Sequence, residues 1–328
     1  MGIILLTLCI TVAILVLVIL LVWLLVRFIY KKRYNKQISY KRFGYTSACL
    51  SIIWSILLLY GHFCGRWCYE VKEWQFHDNR LPAAFDGYKI VQISDLHLEG
   101  FEDNPSYLDT IVNVVNQQEA DLICFTGDLV SYNHKGLEMF SDKLSKMKSK
   151  DGVISILGNH DYGIYDKSLD SLGQEADREK LIEIERNTLN WKLLLNENVF
   201  LHHKGDSIDI IGSENQACGF RQKVRRGDLG KAMKGTENVF QILLAHDPSQ
   251  WDAEVVGKTN IPLTLSGHTH AMQCKVLGWT PCRIFFNRSD GAYVEGNQQL
   301  YINIGAGGLM PFRIGAAPEI TVITLHNQ

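Results

Sequence analysis

"LTLSGHTHAMQC", Leu263 to Cys274, is an apolar run that ends in Ser-Gly and then sets His268 and His270 one residue apart. On an extended strand, residues two apart point to the same face, so the two imidazoles either share a site or stand as polar residues on a wet surface. The pair alone does not choose between these, because His is both the commonest metal ligand and an ordinary surface residue. Four other places repeat the pattern of an apolar run closed by ligand chemistry. Asp95-Leu96-His97 follows "IVQIS", Gly127-Asp128 follows "LICFT", Gly158-Asn159-His160-Asp161 follows "ISIL", and His246-Asp247 follows "ILLA".

Singly these are ordinary, since Gly-Asp is usually a turn and Asn-His a loop. Together they point to one crevice, because side chains at the carboxyl ends of strands in an α/β sheet converge where ligands usually bind. The residue types are imidazole, carboxylate and one amide, with no thiolate, which argues against structural zinc and for a catalytic divalent pair. Two metals about 3.5–4 Å apart need one bridging oxygen donor and a terminal set on each side. Asp95, His97, Asp128, Asn159, His246, His268 and His270 supply that set. Gly127, Gly158 and Gly267 read as the sharp turns that direct the following side chains inward.

Around these motifs the chain alternates short β-branched runs with helical stretches from about Tyr88 onward, the pattern of an α/β or α+β domain. Strands are predicted over 88–94, 121–127, 152–158, 207–212, 240–246, 261–267, 299–305 and 319–325, most of them apolar without alternation, as for strands covered on both faces. Helical spacing marks 105–118, 136–148 and most clearly 175–197, where Leu181, Ile184, Leu189 and Leu193 recur.

The first 66 residues are of another kind. From Ile3 to Val26 there is no charge, about the length that crosses a bilayer as a helix, and no basic n-region or small-residue cleavage site of a signal peptide. A second uncharged run, Tyr45 to Cys64, also qualifies as a span. Between them Arg27, Lys31, Lys32, Arg33, Lys36, Lys41 and Arg42 stand without one acid, which keeps that loop cytoplasmic by the positive-inside rule. The division expected is a transmembrane hairpin over 1–66 (spans about 3–28 and 45–65), a linker over 67–87 and a catalytic domain over 88–328. The hairpin puts the domain outside the inner membrane, in the periplasm of a double-membraned bacterium; were the second run only interfacial, the domain would be cytoplasmic.

Residues 1–66 hold eight of the 33 basic residues and no acid, leaving 25 basic against 35 acidic residues beyond them, a net of about −10. A domain so acidic is a poor match for nucleic acid. The eight cysteines form no CxxC pair, so free thiols are the default, with Cys64–Cys68 and Cys274–Cys282 open as pairs in an oxidising compartment. Nothing in the sequence speaks to oligomeric state.

The ordered set D-x-H, G-D, G-N-H-D, isolated His and G-H-x-H resembles the signature of the calcineurin-like metallophosphoesterase superfamily, over about residues 88–325. That resemblance implies a four-layer α/β (α+β) fold, a double β-sandwich flanked by helices. It implies one metal on Asp95, His97 and His270, a second on Asn159, His246 and His268, and Asp128 as the bridge. His160 is similar to the histidine that stabilises the phosphate or protonates the leaving group, with Asp161 expected to orient it. The implied reaction is hydrolysis of a phosphoester, of phosphodiester type, by hydroxide bridging two divalent ions of Mn, Fe or Zn.

The tail "INIGAGGLMPFRIGAAPEITVITL" resembles the membrane-anchored branch of that superfamily, and makes Arg313 a candidate phosphate contact beside Asn159 and His160. Where that branch follows G-H-x-H with Gly-Gly-Gln, this chain has Ala271, Met272 and Gln273, expected to reshape the floor beside the substrate. A helical insertion, Ile164 to Glu197, is placed to cap the crevice. The expected partners are the bilayer and a phosphoester that is lipid- or wall-linked. The alternatives are a UDP-2,3-diacylglucosamine-type pyrophosphate hydrolase of lipid A synthesis, which belongs on the cytoplasmic side, and a non-catalytic scaffold on the same fold, which would have lost ligands.

Overall fold

The computed structural model describes residues 2–218, 223–236 and 238–328. Twelve strands among these form two six-stranded mixed sheets. The first has the order β1 (Glu70–His77), β12 (Glu319–His326), β2 (Lys89–Ile93), β3 (Leu122–Phe125), β4 (Val153–Ser155) and β5 (Lys192–Leu193). The second runs β10 (Gly291–Glu295), β11 (Gln298–Ile302), β9 (Leu263–Ser266), β8 (Phe240–Leu244), β7 (Asp206–Gly212) and β6 (Glu197–His203).

The sheets face each other across Ile90, Leu122 and Ile154 from one and Ile210, Ile242 and Leu265 from the other. Neighbouring residues on the same strands point the opposite way. Val91, Ile123 and Phe125 are covered by α3 (Pro105–Gln117) and α4 (Lys135–Leu144), and Ile211 and Leu243 by Trp251 and the short α6 (Leu229–Ala232). Because both faces are covered, these strands read as unbroken apolar runs rather than alternating ones. The result is the four-layer sandwich implied by the motifs. The parallel pairs β2–β3–β4 and β7–β8–β9 bring their carboxyl ends to one edge, so the crevice is shared by two sheets and not confined to one.

Three boundaries differ from the sequence reading. The stretch 67–87 is no linker, since β1 runs parallel to β12 over its whole length and Phe76 is fully buried between the sheets. The segment 175–197 is not one helix. α5 (Ser171–Glu183) packs against the 160–162 turn, gives way to a single π-turn over Ile184–Thr188, and the chain then becomes the edge strand β5 and β6. Trp191 and Leu193 join the core there, so the second half of the expected cap is sheet wall.

The basic segment is mostly helix as well. α1 (Gly2–Tyr34) and α2 (Tyr40–Phe63) leave only residues 35–39 between them, with Ser39 Oγ capping α2 at the Lys41 N–H. Both helices are long and apolar enough to cross a membrane, and most of their apolar side chains face outward rather than into protein. The far end of α2 is fastened to the domain. Arg313 N–H donates to Gly61 O at 3.1 Å, His62 Nδ1 meets Pro311 O at 2.6 Å, and Leu58 packs on Phe312 and Ile314.

Candidate metal centre

Six of the seven expected ligands close into two touching clusters at the shared sheet edge. In one, His97 Nε2 lies 3.1 Å from His270 Nε2 and 3.5 Å from Asp128 Oδ2, and His270 Nε2 is 3.3 Å from Asp95 Oδ1. In the other, His246 Nε2 is 3.2 Å from the same Asp128 Oδ2 and 3.3 Å from His268 Nδ1. One donor atom from each of Asp95, His97, Asp128 and His270 lies within 4.8 Å of the others, and so for Asp128, His246 and His268. Asp128 belongs to both. The seventh residue, Asn159, donates Nδ2–H to Tyr165 Oη at 2.9 Å while its Oδ1 is buried without a hydrogen-bond partner. A buried amide oxygen left without a donor is costly, and a cation beside it removes that penalty, so the residues present fit divalent metal ions.

The local backbone explains how adjacent residues reach different clusters. β9 ends at Ser266, so His268 and His270 are not on a strand at all; both have left-handed φ, 75° and 49°, and the turn throws one ring toward His246 and the other toward His97. Thr269 between them faces away, donating to Ser289 O at 2.6 Å. Asp95, His97 and Asp128 are left-handed as well. Of the three motif glycines only Gly127 has positive φ, 94°. Gly158 and Gly267 are required for another reason: a Cβ there would strike the Asp128 carboxylate at the first and Asp95 and Ser94 at the second.

Burial sets the charge states. It pushes His97 down to about 3 and also depresses His268 and, helped by His97 and Arg313, His270. Neutral imidazole is the form that ligates metal. Burial acting alone would raise Asp128, but His246 and His160 outweigh it and hold the carboxyl well below its usual range. For His246 burial is likewise overruled, by Asp128 first, and the ring is pushed up to about 10. Burial, with the Asp128 charge adding, raises Asp95 to about 7 and Asp161 to about 8.

Two expected roles are corrected. Asp161 does not orient His160; its carboxylate accepts the backbone N–H groups of Asp128, Gly158 and Val130 at 2.8, 2.8 and 3.2 Å, and so fixes the loops that carry Asp128 and Asn159. His160 is held instead by Ser131, whose carbonyl lies 2.8 Å from Nδ1, and by stacking on Tyr165 at 4.0 Å. Neither Ser131 nor Tyr165 carries a sequence signal. Arg313 is no phosphate contact, being 1% exposed with its guanidinium spent on backbone carbonyls: Ile304, Gly305, Gly307 and Ala316 all accept from it at 2.7–3.1 Å. It anchors the wall behind Asp95 and His270, where Gly305 packs directly against both.

The residues after His270 do not form the crevice floor either. Ala271 is fully buried with Ile304 and Ala316, and the Gln273 side chain is stitched to Met310 N–H and to the carbonyls of Met310 and Phe312. All eight cysteines are free thiols.

Comparison with known proteins bears on this geometry. The family model described as calcineurin-like phosphoesterase matches residues 88–272. An uncharacterized metallophosphoesterase of Bacillus subtilis, YkuE, is 31% identical over 278 residues, covering 79% of this chain and 86% of that protein. An uncharacterized metallophosphoesterase of Campylobacter jejuni, Cj0846, is 29% identical over 84% of this chain and 69% of its own length. The transmembrane protein with metallophosphoesterase domain of Danio rerio is 31% identical over 84% of this chain and 62% of its own length.

Proposed function

Because the chain belongs to the calcineurin-like phosphoesterase family and is a metal-dependent phosphoester hydrolase, we propose that it is a membrane-anchored enzyme that cleaves a phosphodiester with two divalent cations. The observation that carries this is Asp128, one carboxylate common to both donor clusters. Asp95, His97 and His270 would hold one cation and Asn159, His246 and His268 the other. When bound, such ions supply Lewis-acid polarisation of the phosphoryl group and lower the pKa of water. The nitrogen and oxygen donors, with no thiolate, favour Mn, Fe or Zn.

The chain's own residues prepare the rest. His160 has Nδ1 committed to the Ser131 carbonyl, so proton exchange with a leaving oxygen falls to Nε2. Tyr165 stacks on that ring and fixes the Asn159 amide. The anchor reading is supported by two outward-facing apolar helices and by transmembrane-named relatives. The positive-inside rule puts the domain on the outer side, away from the basic 27–42 segment.

The test is turnover of bis(p-nitrophenyl) phosphate and p-nitrophenyl phosphate by the Mn-loaded full chain, beside Asp128→Ala. A preference for the diester, lost in the variant with far-UV circular dichroism unchanged, is the expected result. Diester turnover retained by Asp128→Ala would falsify the scheme. A C-terminal alkaline phosphatase fusion reads the side of the membrane, and an inactive fusion would move the domain to the cytoplasm and restore the pyrophosphate alternative.

A further inference from the structure

Between the end of α2 and the loop that carries His268 lies a segment the hydrolytic scheme does not use, 275–286. Its first part is a two-residue hairpin: Val276 N–H donates to Trp279 O at 2.8 Å and Trp279 N–H to Val276 O at 3.0 Å. Leu277 and Gly278, at φ 51° and 78°, make the turn. Such turns favour Asn-Gly or Gly-Gly; here the first position is a leucine 102% exposed. That residue is unfavourable twice, in backbone and in solvent. Val276, Trp279, Ile284 and Phe285 are also exposed, Phe285 at 70%. Five large apolar side chains exposed within ten residues of a folded domain mark contact with a protein or a membrane.

The fold decides which. Lys275 N–H donates to Ile314 O at 2.8 Å, and Ile314 packs on Leu58 of α2, so the root of the hairpin and the outer end of the helix are fastened to the same short strap. On its other side the segment meets the metal ligands, with the Phe286 ring 5.5 Å from His268 and Thr280 Oγ1 donating to Ala271 O at 2.5 Å. Trp279 and the exposed Arg283 are the residue types that settle at a lipid headgroup boundary. A cavity of about 390 Å³ opens at the start of α1, lined by Ile3, Ile4, Arg66 and Met310, by the acids Glu99 and Asp103, and by Ser131, whose carbonyl holds His160.

We propose that the 276–279 hairpin, with Ile284 and Phe285, rests in the surface of the bilayer crossed by α1 and α2, and that the phosphoester reaching the centre is carried by a lipid of that bilayer. This rests on the reading of the two helices as spans and of the clusters as the hydrolytic centre. In the reaction the oxygen of water bonds to phosphorus as the P–O bond to the headgroup alcohol breaks. The products are a lipid phosphomonoester and the free alcohol, with one proton released.

The experiment uses the full chain, Mn-loaded, in vesicles of phosphatidylcholine and phosphatidylglycerol. Two substrates are compared, bis(p-nitrophenyl) phosphate in solution and a fluorogenic aryl ester of phosphatidic acid in the vesicles. For Leu277→Asp with Phe285→Asp, both exposed and outside the machinery, the vesicle rate falls about tenfold or more while the soluble rate stays within about twofold. Equal change in both rates, or in neither, overturns the proposal. So does a shift from dimer to monomer accompanying the loss, which assigns the patch to a second copy. In a background with the span tryptophans removed (Trp23→Phe, Trp54→Phe), fluorescence quenching by brominated lipids that drops on Trp279→Phe reads insertion without turnover; quenching unchanged by that substitution overturns the membrane contact. If the wild type cleaves neither ester, the hydrolytic reading fails, and the quenching still decides the contact.

Discussion

Two parts of the crevice edge hold non-glycine residues in the left-handed region, with opposite consequences. In the ligand loops, Asp95, His97, Asp128, His268 and His270 have φ of 54°, 49°, 60°, 75° and 49°, and each aims a donor into the centre. In the segment that follows, Ala271, Met272, Gln273 and Leu277 have φ of 48°, 49°, 50° and 51° and aim none. Each such residue costs on the order of 1 kcal/mol. In the first region a bound cation would offset that strain, whereas in the second only packing and the Gln273 hydrogen bonds resist it. Strain in one place serves chemistry, and in the other it serves shape.

The strongest way to break the comparison is Asp128→Asn, which keeps volume but removes the charge shared by both clusters. Diester turnover falls by roughly a thousandfold, in line with losing a group that organises transition-state charge. The rise in Tm that Mn gives the wild type by mass action also shrinks. A variant with full metal-dependent stabilisation would mean that the clusters do not share their ion through Asp128.

Arg313→Lys comes next and separates wall from substrate contact. Lysine cannot reach four carbonyls at once, so buried acceptors lose their donors and stability drops by about 3 kcal/mol, seen as a lower Tm. KM for the aryl diester stays near the wild-type value. Raised KM at unchanged Tm would return Arg313 to the phosphate.

Glu185→Gln sharpens the contrast between a carboxylate with a task and one without. Neighbouring histidine charge keeps Asp128 ionised, but Glu185 is fully buried with only the Ser155 hydroxyl on it, and burial pushes its carboxyl up to about 8. The folded chain therefore binds a proton that the unfolded chain releases near 4.5. Wild-type stability is fullest below that value and falls as pH rises toward about 8. The variant removes this slope and gains on the order of 2 kcal/mol over wild type between pH 5 and pH 8, measured by denaturant midpoints at both. An unchanged slope would show that the carboxyl is already ionised in the folded chain.

The same contrast explains what could be read in advance. The six donors that the fold gathers were legible because the strand ends that carry them close apolar runs with ligand-type residues, and the eight apolar strands were legible for the same reason. β1 was not, because "EVKEWQFH" is an edge strand with Phe76 its one fully buried residue, too weak a pattern to stand out from a linker. Arg313 and Asp161 were misread because their partners are backbone groups, which only the folded chain brings together. The left-handed turn at 271–273 was invisible as well, since Ala-Met-Gln lacks the glycine or asparagine that signals such a conformation.

That turn supplies the smallest test, Met272→Gly. Ala271 is the less informative position, because its methyl is buried with Ile304 and Ala316, and removing it gives up contact as it relieves strain. Met272 is half-buried, so glycine there relieves the left-handed backbone at the loss of less packing. The expected gain is about 0.5–1 kcal/mol after allowing for glycine's greater freedom when unfolded. Turnover stays within about twofold, because the residue aims nothing at the centre and the neighbouring His270 is held by contacts of its own. A large fall in turnover at raised stability would mean that strain in this turn, like that at the ligands, tunes the chemistry, and the two regions would then be one.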